Sequence, residues 1–523
     1  MAHSRLSSCL PLALIITGHL LFGAAYAILT PTWQVPDEPA HFNYVQHVAA
    51  HGNLPVLQNG DFPYEYLEQI KAARFPRDMP VTPIRYESWQ PPLYYSIAAL
   101  LLRDARSLPT EDQVVILRLF SVLLAAGSLL LIHRIVSSLT PGDKGLPLYA
   151  VGFAATIPMH LALSAGVSND ALAELLLLAV LWQSIEAVQR GVNLSRSVLL
   201  GILLGLVLLT KTTVYVAIPV AVAALYLAPC VSGSDEPCMG HKLRSLLHIG
   251  TIALLFGMPW FLRNAQVYGG LDLLAWQRHD SVVTGQLRTA ELLQQVGLRG
   301  YLTQFVVISF HSFWAQFGWM GVLIDARLYQ ALALFSGLLV LGFGIRATRV
   351  VLTLRQAYSG PWRPISRLHS GMYSVLHHLK HDAGRLPRRD LILLAWSALL
   401  TLGLYLGYNT KFVQFQGRYL FPAMAAWAWG AAVGLQELLR PRTARPTALV
   451  LAACGSIMLV MGTLGFGFSV WSVLLVAGSG LAVALGSRLS QRWPHLAPGL
   501  LYLGLLTLDW LCLWRFVVPA LQG

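Results

Sequence analysis

Charge is scarce in this chain. Lys, Arg, Asp and Glu together make up 12% of its 523 residues, about half of what a soluble domain carries. A water-soluble chain of this length would fold as about three or four domains. The missing charge argues against that, as does a mean hydropathy of +0.58. Acids are scarcer than bases, 24 against 37, which leaves a net charge of +13. The basic residues sit in short links between apolar runs, as in membrane proteins, so no nucleic-acid partner is expected. Cysteine is also rare. Of the five, Cys9, Cys454 and Cys512 lie inside apolar runs. Cys230 and Cys238 fall in a basic link read as cytoplasmic, where disulfides are not expected. No CxxC pair is present, which argues against a zinc site of that kind. There is no sustained internal repeat and no phosphate-cradling glycine loop. Glycines such as those of GSGLAVALG (478–486) lie in apolar runs, where small residues let helices approach.

What fills the chain is hydrophobic side chain, 55% of all positions. A helix needs about 20 apolar residues to span a bilayer, so the runs predict an all-α integral membrane protein with about 11 to 13 transmembrane helices. The first run, 10–29, follows Arg5 and ends near Ala25-Tyr26-Ala27, like a secretory leader. Its length favours an uncleaved first helix. With the N-terminus in the cytoplasm, every cytoplasmic link is basic. These links include Arg134 and Lys144, Arg190 and Arg196, Lys242 and Arg244, and Arg440, Arg442 and Arg445, while 346–390 alone holds nine basic residues. That agreement supports the assignment. The opposite side then receives the long segments 30–113 and 263–327 and the short links 165–169, 211–213 and 409–418. Segment 30–113 is rich in Pro, Tyr, Trp, Asp and Glu, and predicts helices lying at the interface. Segment 301–323 predicts a further span or a re-entrant aromatic element. Residues 1–437 are read as a membrane-embedded module with its outer loops, and 438–523 as additional C-terminal helices.

Chemistry-bearing residues gather in those outer segments. In PDEPAHFNYVQHV (36–48), Pro36 suits a helix start and Asp37 and Glu38 suit its dipole. Asp37, His41 and Tyr44 then fall at i, i+4 and i+7, on one face. A carboxylate there can serve as a general base, although a charged helix start alone explains the same pattern. In YESWQPPLYY (86–95), Pro91 and Pro92 launch an amphipathic helix just after Glu87 and Gln90. In SAGVSND (164–170), Asp170 either caps a spanning helix or faces a shared cavity. Lys211, Arg263, Lys411 and Arg418 lie at helix ends on the outer side. Each can snorkel to headgroups, but four together suggest an anionic ligand. Arg418, beside Tyr419, is the best phosphate clamp because a guanidinium binds phosphate oxygens with a fork. SFWAQFGW (312–319) offers Ser312, Trp314, Gln316 and Gly318 for a sugar or lipid-tail pocket, or else forms an aromatic belt. Asp37, His41, Glu87 and Asp170 can together be drawn as a divalent-cation set, though their spacing does not demand one.

The order of these elements resembles the type C fold membrane glycosyltransferases, which take sugars from polyprenyl-phosphate or polyprenyl-diphosphate carriers. Asp37-Glu38 after the first helix looks like the opening signature of that superfamily. QPPLYY (90–95) looks like the proline-aromatic motif of the protein O-mannosyltransferase and lipid A aminoarabinose transferase group. SND (168–170) falls where a second acid is placed. PDEPAHF, PWFLRNAQVYG, SFWAQFGW and QGRYLFPA together are similar to an uncharacterised bacterial subgroup grouped with these enzymes. One departure stands out: many aminoarabinose-transferase-like members carry Lys before the paired prolines as a donor-phosphate contact, and here Gln90 occupies that place. The resemblance implies a polyprenyl-phosphate sugar donor and an acceptor hydroxyl on a lipid, glycan or protein, with transfer at the extracytoplasmic face of a bacterial plasma membrane. It implies Asp37, Glu38 and Asp170 as catalytic acids and Lys211 or Arg418 as the cation in place of the missing Lys; the charge pattern adds Arg263 and Lys411 as further phosphate ligands. No cofactor is required, since the donor is already activated. A transporter or flippase of lipid-linked sugars is the competing expectation; repeat halves and midplane polar sites, its usual marks, are not evident.

Overall fold

The computed structural model describes residues 2–229, 238–358, 389–464, 467–494 and 496–522. Cys230 and most of the basic 346–390 link lie outside the described residues. Cys238 is disulfide-bonded, which overturns the expectation that this link holds only reduced thiols.

The chain is built almost wholly from helices, and it is a multi-pass membrane protein. Among the described residues, nine helices are long and apolar enough to cross a bilayer, or ten if the bent pair Gly145–Ala155 and Pro158–Ser164 is one span broken by 68°. Shorter apolar helices cover Leu93–Arg103, Leu194–Leu208 and Thr212–Leu227, and the larger expected number is reached only by counting some of these. The first helix, α1 (Ala2–Leu29), packs against α5 (Thr110–Leu139), which in turn lies along α8 (Asp170–Arg190). Small residues allow close approach, as expected in lipid. A Cβ at Gly201 or Gly205 of α9 (Leu194–Leu208) would meet Ile252 and Phe256 of α11 (Cys238–Tyr268) at 2.8 and 2.6 Å.

The segment 30–113 forms α2 (Glu38–His51), α3 (Tyr64–Ala72) and α4 (Leu93–Arg103), so helices occur where the composition predicted them. Proline cannot continue a hydrogen-bonded helix, and Pro92 stands at the N-cap of α4 as anticipated. The start of α2 differs from expectation. It begins at Glu38, one residue after Asp37, which occupies the left-handed region at φ 66°. Asp37 thus leaves the helix face shared by His41 and Tyr44 and turns elsewhere. Segment 301–323 is not one unbroken helix. It is the end of α13 (Thr289–Trp314) followed by a two-residue hairpin, Gln316–Phe317 against Val322–Leu323. Backbone φ is positive at Gly318, Trp319 and Met320 in its turn.

The C-terminal helices do not behave as one appendage. Pro441–Thr463 and Val470–Arg492 pack chiefly on each other. By contrast Cys512, Leu513, Val517 and Leu521 are buried in the main core beside Tyr26, Met159 and Phe317.

Candidate active site

Asp37 is displaced from α2 by its left-handed backbone, a conformation that L residues visit at a cost. Its main-chain oxygen still accepts the first helical bond, from the His41 amide at 3.1 Å. Its side chain is held at both oxygens: the Tyr86 hydroxyl donates to Oδ1 at 2.7 Å and Arg418 Nη2 donates to Oδ2 at 2.6 Å. Burial works to raise the Asp37 carboxyl, but the Arg418 charge and the Tyr86 hydrogen bond outweigh it and hold the group below the usual carboxylate range.

Arg418 is placed by a tight seat. It lies in a 3₁₀ turn, Gly417–Ala423, and the Gly417 amide donates to Ser312 Oγ of α13 at 2.7 Å. An added Cβ at Gly417 would lie 2.4 Å from the Phe313 nitrogen and 2.5 Å from the Ser309 oxygen. Only glycine lets the turn press against α13 this closely. The motif at 312–319 therefore contributes Ser312 to the site's architecture. Trp314, expected in the pocket, is buried in the core and packs edge-on to Phe153, Phe313 and Phe335. Gln316 is also buried and donates to the Met320 oxygen, bracing the hairpin turn.

Glu87 follows Tyr86 in the same loop. Burial and then the neighbouring Asp37 charge push its carboxyl up to about 7. Its Oε2 is buried with no hydrogen-bond partner among the described residues. Behind it stand the aromatic residues of α2 and α4. Tyr44 stacks on Tyr95 with ring centres 3.7 Å apart and donates to the Gln90 oxygen. His41 Nδ1 lies 2.8 Å from the Tyr95 hydroxyl. Burial and then the Lys211 charge push the His41 imidazole down to about 3, so it is neutral at physiological pH.

A second ion pair lies next to the first. Lys211 Nζ donates to Asp170 Oδ1 at 2.6 Å, and Ser168 Oγ donates to Oδ2 at 2.9 Å. Burial opposes the charge of Lys211, yet Asp170 and Glu87 more than restore it and raise its pKa. Asn169 ties the turn to both neighbours, donating to the Thr210 oxygen at 3.1 Å and to Gln90 Oε1 at 3.4 Å.

Asp37, Glu87, Arg418 and Tyr419 line one cavity of about 310 Å³. Its other walls come from Tyr64, Glu68 and Lys71 of α3, His279 and Gln286, Trp319 and Met320 of the hairpin, and Tyr408, Gln414 and Gln416. Three of its residues carry buried polar atoms without a partner among the described residues: Glu87 Oε2, Gln416 Oε1 and Arg418 Nε. Two are acceptors and one is a charged donor. Buried polar atoms normally find partners, so this set suits a ligand that brings hydroxyls and an anionic oxygen.

Several expected site residues lie elsewhere. Glu38 is locked by Arg118, whose Nε and Nη2 donate to its two oxygens at 2.7 and 2.6 Å; both side chains are almost fully buried. Arg263 does not line the cavity: it donates to the Pro55 oxygen and lies over the Trp260 and Tyr268 rings. Lys411 is exposed and also lies off the cavity wall. Asp37, His41, Glu87 and Asp170 do not form a metal cluster, since no three His, Cys, Asp or Glu side chains gather suitably among the described residues. Arg118 and Tyr86 were missed. A lone arginine inside the apolar run 114–137 was the available signal for Arg118, because an intramembrane charge needs a partner. Nothing in the sequence singled out Tyr86 from its neighbours.

Residues 90–262 match the family model of dolichyl-phosphate-mannose-protein mannosyltransferases. The chain resembles the membrane glycosyltransferases of that group, as its motifs implied. The match covers less than half of the chain; Asp170 and Lys211 fall within it, and Asp37, Glu87 and Arg418 outside. Among solved structures, ArnT from Cupriavidus metallidurans is similar in the apo state and bound to undecaprenyl phosphate. Identity is 13% and 12%, the TM-score is 0.48 for both, and alignment covers 98% and 96% of this chain and 77% and 76% of that one. The Archaeoglobus fulgidus oligosaccharyltransferase is similar at 12% identity and a TM-score of 0.44, over 89% of this chain and 53% of that one. At such identities and scores neither carries an argument about chemistry in this chain. No curated protein matches it in sequence.

Proposed function

We propose that this protein transfers a sugar from a polyprenyl-phosphate carrier to an acceptor hydroxyl at the extracytoplasmic membrane face. The observation that carries the reading is the set of unpartnered atoms in one cavity, with Arg418 Nε ready for a phosphate oxygen and Glu87 and Gln416 ready for hydroxyls. Aromatic side chains at Tyr64, Trp319, Tyr408 and Tyr419 suit the faces of a sugar ring. The kinship of residues 90–262 supports the same reaction class.

In this mechanism the lipid phosphate meets Arg418 and competes with Asp37 for the guanidinium, which frees Asp37 Oδ2. Lys211, half-buried beside the site, adds positive potential. Asp37 acts as base on the acceptor hydroxyl. The acceptor oxygen bonds to the anomeric carbon as the carbon–oxygen bond to phosphate breaks, and its electron pair leaves with the carrier phosphate. One direct displacement inverts the anomeric centre. Positive charge at the leaving group stabilises the transition state, and the activated donor supplies the driving force without a cofactor. A bacterial plasma membrane suits this reading.

Asp37→Asn should abolish transfer from a radiolabelled polyprenyl-phosphate sugar while leaving the protein folded and inserted. Base removal of this kind costs about 10²- to 10⁴-fold, so near-wild-type turnover would remove Asp37 as the base. Movement of the intact donor between leaflets without consumption of the carrier bond would instead identify a flippase.

A further inference from the structure

We propose that Glu87 is a second proton-transfer residue of this site, the carboxylate on which the acceptor's proton comes to rest. The proposal rests on the transfer reaction above. Asp37 is well placed to pull on a hydroxyl but badly placed to keep a proton, because the Arg418 guanidinium sits 2.6 Å from its Oδ2 and favours the ionised form. When the carrier phosphate leaves, Arg418 is free to re-form that pair and expel the proton from Asp37.

Glu87 lines the same cavity, in the loop residue next to Tyr86, whose hydroxyl already touches Asp37. Its Oε2 is buried and unpartnered among the described residues. Burial raises it to about 7, where a base neither binds its proton too weakly nor holds it too long. Two carboxyls in one cavity whose surroundings drive their affinities apart are the usual mark of divided acid–base labour. The balance is simple. The acceptor O–H breaks, its proton passes by way of Asp37 to Glu87, the new oxygen–carbon bond forms, and the phosphate leaves with the electrons of the old one. Glu87 then loses the proton to water before the next cycle.

Other charged or titratable groups face Glu87. Asp37 and Asp170 repel its charge and Lys211 attracts it. Tyr86, Tyr95 and Tyr408 lie near it, and Arg418, Tyr419, His279, Glu68 and Lys71 share the cavity. Of these, only His279 also has an ordinary titration range close to neutrality, so the test must separate it from Glu87.

The test is the pH profile of transfer in membranes carrying wild type, Glu87→Gln, Glu87→Asp and His279→Asn, with a polyprenyl-phosphate sugar as donor. Glu87 accepts a proton only when ionised, so the wild-type rate should rise about tenfold per pH unit below about 7 and level off above it. Glu87→Gln should be slower by about 10²-fold or more and lose the inflection, with carrier-phosphate affinity unchanged. Glu87→Asp should regain part of the rate, and His279→Asn should keep the inflection. A wild-type inflection that persists in Glu87→Gln, or a Glu87→Gln rate equal to wild type, overturns the proposal. If wild type consumes no donor at any pH, the functional reading itself fails, which is a different outcome.

Discussion

Two adjacent acids meet opposite fates here, and the difference is one of partners. Asp37 opens onto the cavity and shares its oxygens with Tyr86 and Arg418. Glu38 points inward and receives Arg118 on both oxygens, plus the amides of Trp33 at 2.9 Å and Val167 at 3.2 Å. Arg118 also donates to the main-chain oxygens of Ala27, Thr30 and Pro31, so this pair fastens the end of α1 to α5 and to the turn before α8. Breaking a buried pair by removing one partner costs about 3–5 kcal/mol. Glu38→Gln should therefore lower the thermal midpoint of the detergent-solubilised protein sharply, whereas Asp37→Asn should move it little. Equal midpoints for the two variants would mean that the Glu38–Arg118 contact is not structural. The pair of acids was legible in the sequence, but which of them faces the cavity was not. A one-residue shift in where α2 begins, together with a left-handed φ at Asp37, decides it, and neither is encoded in helical spacing.

At the scale of elements, the site depends on how closely the turn carrying Arg418 approaches α13. QGRYLFPA and SFWAQFGW both stood out in the sequence, yet their connection did not. An aromatic-rich run has no polar face to show which side meets a neighbour, so the sequence offers Ser312 and Trp314 alike for a pocket and does not show that Ser312 accepts the Gly417 amide while Trp314 faces the core. The seat makes a sharp prediction. Alanine at Gly417 puts a methyl group 2.4 and 2.5 Å from two main-chain atoms of α13, and main chain inside a helix yields less readily than a side-chain tip. Gly417→Ala should push the turn away, carry Arg418 off Asp37 and weaken carrier-phosphate binding by more than about tenfold, the effect of a 1.4 kcal/mol loss. Unchanged affinity for polyprenyl phosphate would show that the clamp tolerates the displacement.

Across the whole molecule, charge alternation along the sequence predicted which links share a side of the membrane, and the fold brings those same segments into contact around one site. Asp37 and Arg418 meet across 381 positions, Asp170 meets Lys211 across 41, and Trp319 Nε1 donates to the Trp33 oxygen at 2.9 Å. Within the C-terminal segment the structure shows a distinction that hydropathy leaves out. Apolar runs look alike whether they face lipid or core, and the sequence grouped all helices after 437 together. The structure separates them by packing partner: Pro441–Thr463 and Val470–Arg492 lie chiefly against each other. The last helices instead put Leu521 against the hairpin at Gly318 and the Asp509 oxygen within 3.2 Å of the Tyr26 hydroxyl. Deleting 446–492 removes two spans together, keeps the sidedness of the last helices, and leaves the Thr443 contact to Glu437 intact. That variant should insert, fold and transfer sugar at a rate near wild type. Truncation after 494 strips buried side chains from beneath the hairpin, where losing each large apolar group costs about 2–5 kcal/mol, and should abolish both folding and transfer. Measured by donor consumption and by monodispersity in detergent, the opposite ranking of the two deletions would place the working core at the C-terminal pair rather than beneath the cavity.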